Sequence, residues 1–205
     1  MDVGFFDFAR LRHRCAAPAR PVFPGPAEVR SYWETLRVNG SVPDRAALDP
    51  RRLGSVLDRL FLAERIGKGL VQVRIAGSAL AEIARLDLRG LPLSCLFAPE
   101  ARPELAEVIE AVCTEERVAE LDLASDRGKG QTVARLLLLP LIDGPDRRLV
   151  LGCLGSDEAP PRPKFRILRR VEERLFSARP AAEPRAEEAT PRRHRHLTLV
   201  HSAAN

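Results

Sequence analysis

Residues 60–97, LFLAERIGKGLVQVRIAGSALAEIARLDLRGLPLSCLF, constrain the fold more tightly than any other stretch of the chain. Two strand-like runs, 60–66 and 70–76, flank Gly67-Lys68-Gly69. Glycine reaches the positive φ values that a tight hairpin loop demands, so the segment reads as a β-hairpin. In its second arm Val71, Val73 and Ile75 alternate with Gln72, Arg74 and Ala76, the period of a sheet with one face more buried than the other. Ser78 is placed to cap a short helix with Leu80, Ile83 and Ala84 on one face, and Leu86-Asp87-Leu88-Arg89-Gly90 ends it.

The flanking segments add partners for this hairpin. Over 27–38, Val29, Tyr32, Trp33 and Leu36 fall at i, i+3, i+4 and i+7, one apolar helical stripe, with Asn39-Gly40 as its stop. Asp49-Pro50 reads as a helix start, aspartate at the cap and proline at the first helical position, and Leu53, Val56, Leu57 and Leu60 continue one face. Pro99 opens a further helix carrying Leu105, Val108, Ile109 and Val112 and ending near Arg117. Residues 118–124, 131–142 and 148–155 are three strands, the last two joined by the turn Asp143-Gly144-Pro145-Asp146. With the hairpin this makes a five-stranded antiparallel sheet in an α+β fold, its inserted helices covering one face. Beyond Pro160-Pro161-Arg162-Pro163, the spacing of Phe165, Leu168, Val171 and Leu175 predicts an amphipathic helix over 164–178, either an output helix or a packing element.

The domain so defined spans 27–156, preceded by an irregular segment 1–26 and followed, after that helix, by a disordered basic tail over 179–205. In the first segment Phe5, Phe6 and Phe8 read either as a segment that docks a hydrophobic groove or, the favoured reading, as a remnant packing loosely on the domain. The sequence has 33 Lys+Arg against 28 Asp+Glu, interspersed, so the net +5 describes a solvated surface rather than a nucleic-acid face. Cys15, Cys95, Cys113 and Cys153 form no CxxC pair and have no histidine at ligand spacing, which argues against a zinc site and a disulfide framework and for a reducing cytoplasm. The longest apolar run, 136–142, is far shorter than a membrane span, and the N-terminal apolar run is too short for a secretory signal. Arg127-Gly128-Lys129-Gly130-Gln131 links two strands, so it is a solvated loop and not a phosphate loop.

Seven short motifs, in order, make the chain resemble a PAS domain, and more narrowly the small bacterial PAS-like family formerly catalogued as a domain of unknown function. They are Tyr32-Trp33-Glu34-Thr35-Leu36-Arg37, Asp49-Pro50, Phe61-Leu62-Ala63-Glu64, Arg74-Ile75-Ala76-Gly77-Ser78, Asp87-Leu88-Arg89-Gly90 with Leu96-Phe97, Leu138-Leu139-Pro140-Leu141, and Leu149-Val150-Leu151-Gly152. The resemblance implies a sheet curled around its helices to leave a small apolar chamber, used to hold a ligand or to transmit a partner's signal, and it implies no catalysis. Candidates to line that chamber are Val73, Ile75, Leu80, Ile83, Leu91, Leu93 and Phe97, closed by Ile109, Val112, Leu136, Leu138, Leu151 and Cys153. These side chains either surround a ligand or fill the space themselves, and both readings stay open.

The resident cofactor is unknown, but two are disfavoured. His13, His194, His196 and His201 all lie outside the core, which argues against haem. Cys95 lacks the Asn-rich glycine motif that accompanies a covalently attached flavin in photosensory PAS domains, and it reads with Cys113 and Cys153 as an inert core thiol. Glu64 and Arg74 are expected to form a structural ion pair across the hairpin. The functional expectation is a non-enzymatic cytoplasmic sensor or adaptor acting through protein contact, with a homodimer through the helix bearing Val29 and Leu36. The alternative is a nucleic-acid-associated protein using the tail, where five arginines against three glutamates over 179–205 leave a charge of +2. His196-Leu197-Thr198-Leu199-Val200-His201 in that tail is either a docking peptide or a frayed end.

Overall fold

A computed structural model describes residues 21–125, 130–156 and 164–175. Gly69, at φ +63°, turns β1 (Leu60–Gly67) back into β2 (Leu70–Ala76), as its glycine spacing predicts. The other strands are β3 (Arg117–Ala124), β4 (Ala134–Asp143), β5 (Arg147–Ser156) and β6 (Arg166–Arg174). They form one antiparallel sheet in the order β2-β1-β5-β4-β3-β6. The expected α+β architecture is present, with six strands instead of five.

The sixth strand corrects the expected helix over 164–178. Leu168 and Val171, the middle of the proposed stripe, stand 45% and 37% exposed, so no helical face is buried. Without it β3 would have an unpaired edge, and β6 supplies a full antiparallel ladder there from Arg117↔Arg174 to Ala124↔Arg166. Main-chain pairing over this length, anchored by buried Phe165 before the strand and Leu175 after it, outweighs a 3.6-residue pattern with nothing to pack against.

Among the described residues three α-helices flank the sheet: α1 (Pro26–Thr35), α2 (Ser78–Ala84) and α3 (Arg102–Thr114). Pro26 sits in the first turn of α1, where its missing N–H costs nothing, and Asn39 and Gly40 turn the chain at φ +52° and +76° after the helix has ended. Residues Pro50–Arg59 form 3₁₀ turns rather than an α-helix, broken by a kink at Leu53 (φ −111°, ψ 16°), with Asp49 as cap, its carboxylate accepting from the Arg51 N–H at 3.0 Å. Gly77, not Ser78, precedes the first turn of α2, and no side chain caps that helix. Only glycine fits there: a Cβ would overlap the carbonyl oxygens of Leu57 and Asp58, so the 3₁₀ segment is seated directly on the end of β2.

The two sheet faces carry separate cores. On the inner face α2, α3 and the 3₁₀ turn Leu93–Leu96 close over Phe61, Ala63, Val71, Val73, Leu121 and Leu136. Gly152 of β5 lies opposite Phe61, whose ring occupies the space a Cβ would need. On the outer face Val29, Tyr32 and Trp33 of α1 pack on Leu137, Leu139, Leu151 and Cys153, and the Trp33 indole N–H donates to the Pro140 carbonyl at 3.0 Å. The stripe named as a homodimer surface is thus covered by the chain's own sheet. The N-terminal phenylalanines, Cys15, every histidine, the basic tail and its terminal motif lie outside the described residues.

Candidate functional site

Nine of the thirteen expected chamber residues come together. Val73, Leu80, Ile83, Leu93, Phe97, Ile109, Val112, Leu136 and Leu138 belong to one buried cluster on the inner face. Among the residues outside the expected chamber set that share the cluster are Phe61, Leu88 and Phe165, the last meeting Phe97 edge-to-face at a centroid distance of 6.1 Å. Phe165 reaches the core because its main chain bridges the turn before α3, donating to the Leu96 carbonyl at 2.9 Å and accepting from Ala98 N–H at 3.0 Å.

The remaining four belong elsewhere, each for a geometric reason. Arg74 is an extra residue in β2, since Leu62 pairs with Ile75 and Ala63 with Val73. That bulge turns Ile75 to the outer face, where it is 55% exposed. Leu151 and Cys153 pair with Leu139 and Leu137, so they share the outer face beneath α1. Leu91 sits in the loop that covers the free edge of β2, where the Val73 N–H donates to its carbonyl at 2.9 Å and its side chain stays exposed.

Open space lies on the outer face. A groove of about 580 Å³ runs between residues 45–57 and the joined ends of β1 and β2. Leu53, Leu60 and Leu62 form its floor, Leu57 and Ile75 its exposed rim, and Arg45 and Asp143 its charged margin. The bulge at Arg74 and the close seat at Gly77 create it together: the first puts Ile75 on this face, and the second fixes the 3₁₀ wall against the strand.

A chain of ion pairs lies on the same sheet face. Glu64 accepts from Arg74 Nε at 2.8 Å, the expected pair, and also from Arg147, whose guanidinium reaches Asp143 Oδ2 at 2.8 Å. Hydrogen bonding to Arg147, the largest effect, holds the Glu64 carboxyl below the ordinary carboxylate value; burial opposes it, and the hydrogen bond to Arg74 adds to the lowering. A second depression of about 530 Å³, between α3 and β6, is lined by charges of both signs that pair with each other: Arg117 with Glu115 and Glu172, Arg170 with Glu107 and Glu172. The thiols of Cys113 and Cys153 are pushed up to about 12 by burial, and that of Cys95 is raised by the same cause, which favours the protonated form of each.

Comparison with profiles of known families matches residues 24–155 to the PAS domain. The chain belongs to the PAS-domain family. The match covers α1, the 3₁₀ wall of the groove, β1 to β5 and the helical insert, and it stops before β6. PAS domains serve in general as sensory and signalling modules, and that general role is this protein's. Compared with curated proteins, the chain has no significant match. Among the described residues no helix is long and apolar enough to cross a membrane, and no group of three or more histidine, cysteine, aspartate or glutamate side chains is placed to hold a metal ion.

Proposed function

We propose that this PAS protein is a non-enzymatic signalling adaptor that works by protein contact, and that the outer groove is where the partner docks. The observation that carries this reading is the outer groove itself, open and rimmed by exposed leucine and isoleucine on a face whose other apolar side chains are buried. Its chemistry favours a segment with one or two apolar side chains and an adjacent acidic residue. Arg45 at the margin, which forms no ion pair among the described residues, suits that charge. The small-ligand reading moves with the open space, from the inner cluster to this groove. Cys113 and Cys153, buried free thiols, support placing the protein in a reducing compartment, the cytoplasm.

The test is a comparison of capture. The intact protein and its Ile75→Glu and Leu57→Glu variants are used as bait in lysate, with Val38→Glu, 69% exposed and outside the groove, as control. Loss of the same partner from both groove variants, with retention by the control, supports the reading. Equal capture by all four proteins overturns it.

A further inference from the structure

β6 is the last strand of the sheet, so among the described residues no strand pairs with its outer side. Proteins commonly protect such an edge by placing charges that repel a second strand. The charges of β6 are ordered differently. Laid antiparallel against β6 of a second copy, with the two-fold axis at Val171, Arg169 of each chain stands opposite Glu173 of the other, and Arg170 opposite Glu172. A two-fold between antiparallel strands must pass through a residue paired with its own copy. Moving the axis by one residue sets Arg170 against Arg170 or Glu172 against Glu172. For residues 169–173, Val171 is therefore the position that pairs each charge with its opposite and places an apolar residue on the axis.

Exposure agrees with the register. Arg169, Val171 and Glu173 share the outer face and are all exposed, Val171 at 37%. Arg169 forms no ion pair among the described residues; Glu173, with its side chain 63% exposed, meets Arg30 at 2.5 Å through one carboxylate oxygen, leaving the other to a second arginine. Arg170 and Glu172 already bond to each other and to Glu107 and Arg117 on the inner face, so the outer pairs decide the association. The bulge at Leu168 ends the regular ladder on one side and confines the pairing to residues 169–173.

We propose that β6 pairs antiparallel with β6 of a second copy of this chain, joining the two sheets into one across a two-fold axis at Val171. This surface differs from the outer groove, so partner docking and self-association are separable. The experiment is sedimentation equilibrium of the full chain, its Arg169→Glu and Glu173→Arg variants, their equimolar mixture and the double variant, with circular dichroism to establish folding. The wild type is expected to dimerise. Each single reversal places like charges at both outer pairs and is expected to weaken association at least about tenfold. The mixture is expected to form a heterodimer, because position 169 of each chain then faces the opposite charge at position 173 of the other, and the double variant is expected to dimerise like the wild type. A reversal that does not fold is replaced by Arg169→Gln or Glu173→Gln, expected to weaken association less. A wild type that is monomeric at high micromolar concentration overturns the proposal, including the case in which the chain's own tail occupies the edge. A dimer indifferent to these changes, or a mixture that stays monomeric, overturns it as well.

Discussion

The two faces of the sheet are closed in different ways. On the inner face, apolar residues from β1 to β5, α2, α3 and Phe165 converge on one buried cluster. On the outer face, α1 covers β4 and β5 and the 3₁₀ segment Pro50–Arg59 reaches across toward β1 and β2, leaving a groove between them. A sheet flanked by short helices buries only the strands those helices lie over, so an open groove arises where the covering elements end. The expected chamber residues lie mostly on the inner face, whereas the groove described here opens on the outer one.

The strongest way to break this contrast is to test whether the outer face is a true core where α1 lies on it. Trp33 is fully buried and hydrogen-bonded to Pro140. Trp33→Ala is expected to cost about 3–5 kcal/mol in chemical denaturation, as much as Phe97→Ala on the inner face. An unchanged midpoint would show that α1 merely rests on the sheet. Next is the boundary between Val73 and Ile75, two residues apart on β2 but on opposite faces. Val73→Ala is expected to cost about 2 kcal/mol, and Ile75→Ala less than about 0.5 kcal/mol, because one loses core packing and the other a largely exposed rim contact. Equal costs would remove the bulge from the explanation.

Gly152→Ala sharpens the account of the inner face. A methyl group there meets the Phe61 ring, and overpacking of this kind is expected to cost about 1–3 kcal/mol, with part regained in the double variant carrying Phe61→Leu. A fully additive double variant would show that the ring is not the obstacle. The smallest effect concerns acid. Glu110 of α3 is held below its ordinary value of 4.5 by hydrogen bonding to Arg65 and then by the Gly69 N–H. Its folded-state pKa is depressed, so the stability it adds is present above that ordinary value and is lost as pH falls through the folded value. Arg65→Gln is expected to remove about 0.5 kcal/mol near neutral pH and nothing in strong acid, read from denaturation midpoints across the pH range. A loss that persists undiminished in acid would assign Arg65 to packing alone.

Local chemistry made much of this fold legible. The hairpin at Gly69, the apolar stripe of α1, the Asp49-Pro50 cap and the helical face of Leu105, Val108, Ile109 and Val112 each depend on neighbours within a few residues, and each is present as expected. The seven motifs likewise identify the PAS fold because they report loops and strand starts in order. Chain-local patterns say little, however, about which sheet face a side chain meets. Alternation continuing through Arg74 in the sequence points Ile75 inward, while the bulge that reverses it exists only in the pairing with β1. Leu151 and Cys153 sit outside because their register with Leu139 and Leu137 sets the parity of β5. β6 depends still more on tertiary structure. Its spacing suits a helix, but the unpaired edge of β3 makes it a strand, because a row of unsatisfied N–H and C=O groups outweighs a weak helical stripe. The groove follows the same rule: Leu57, Leu60 and Ile75 are ordinary apolar residues in the sequence, and only the meeting of the 3₁₀ wall with the bulged strand makes them a site.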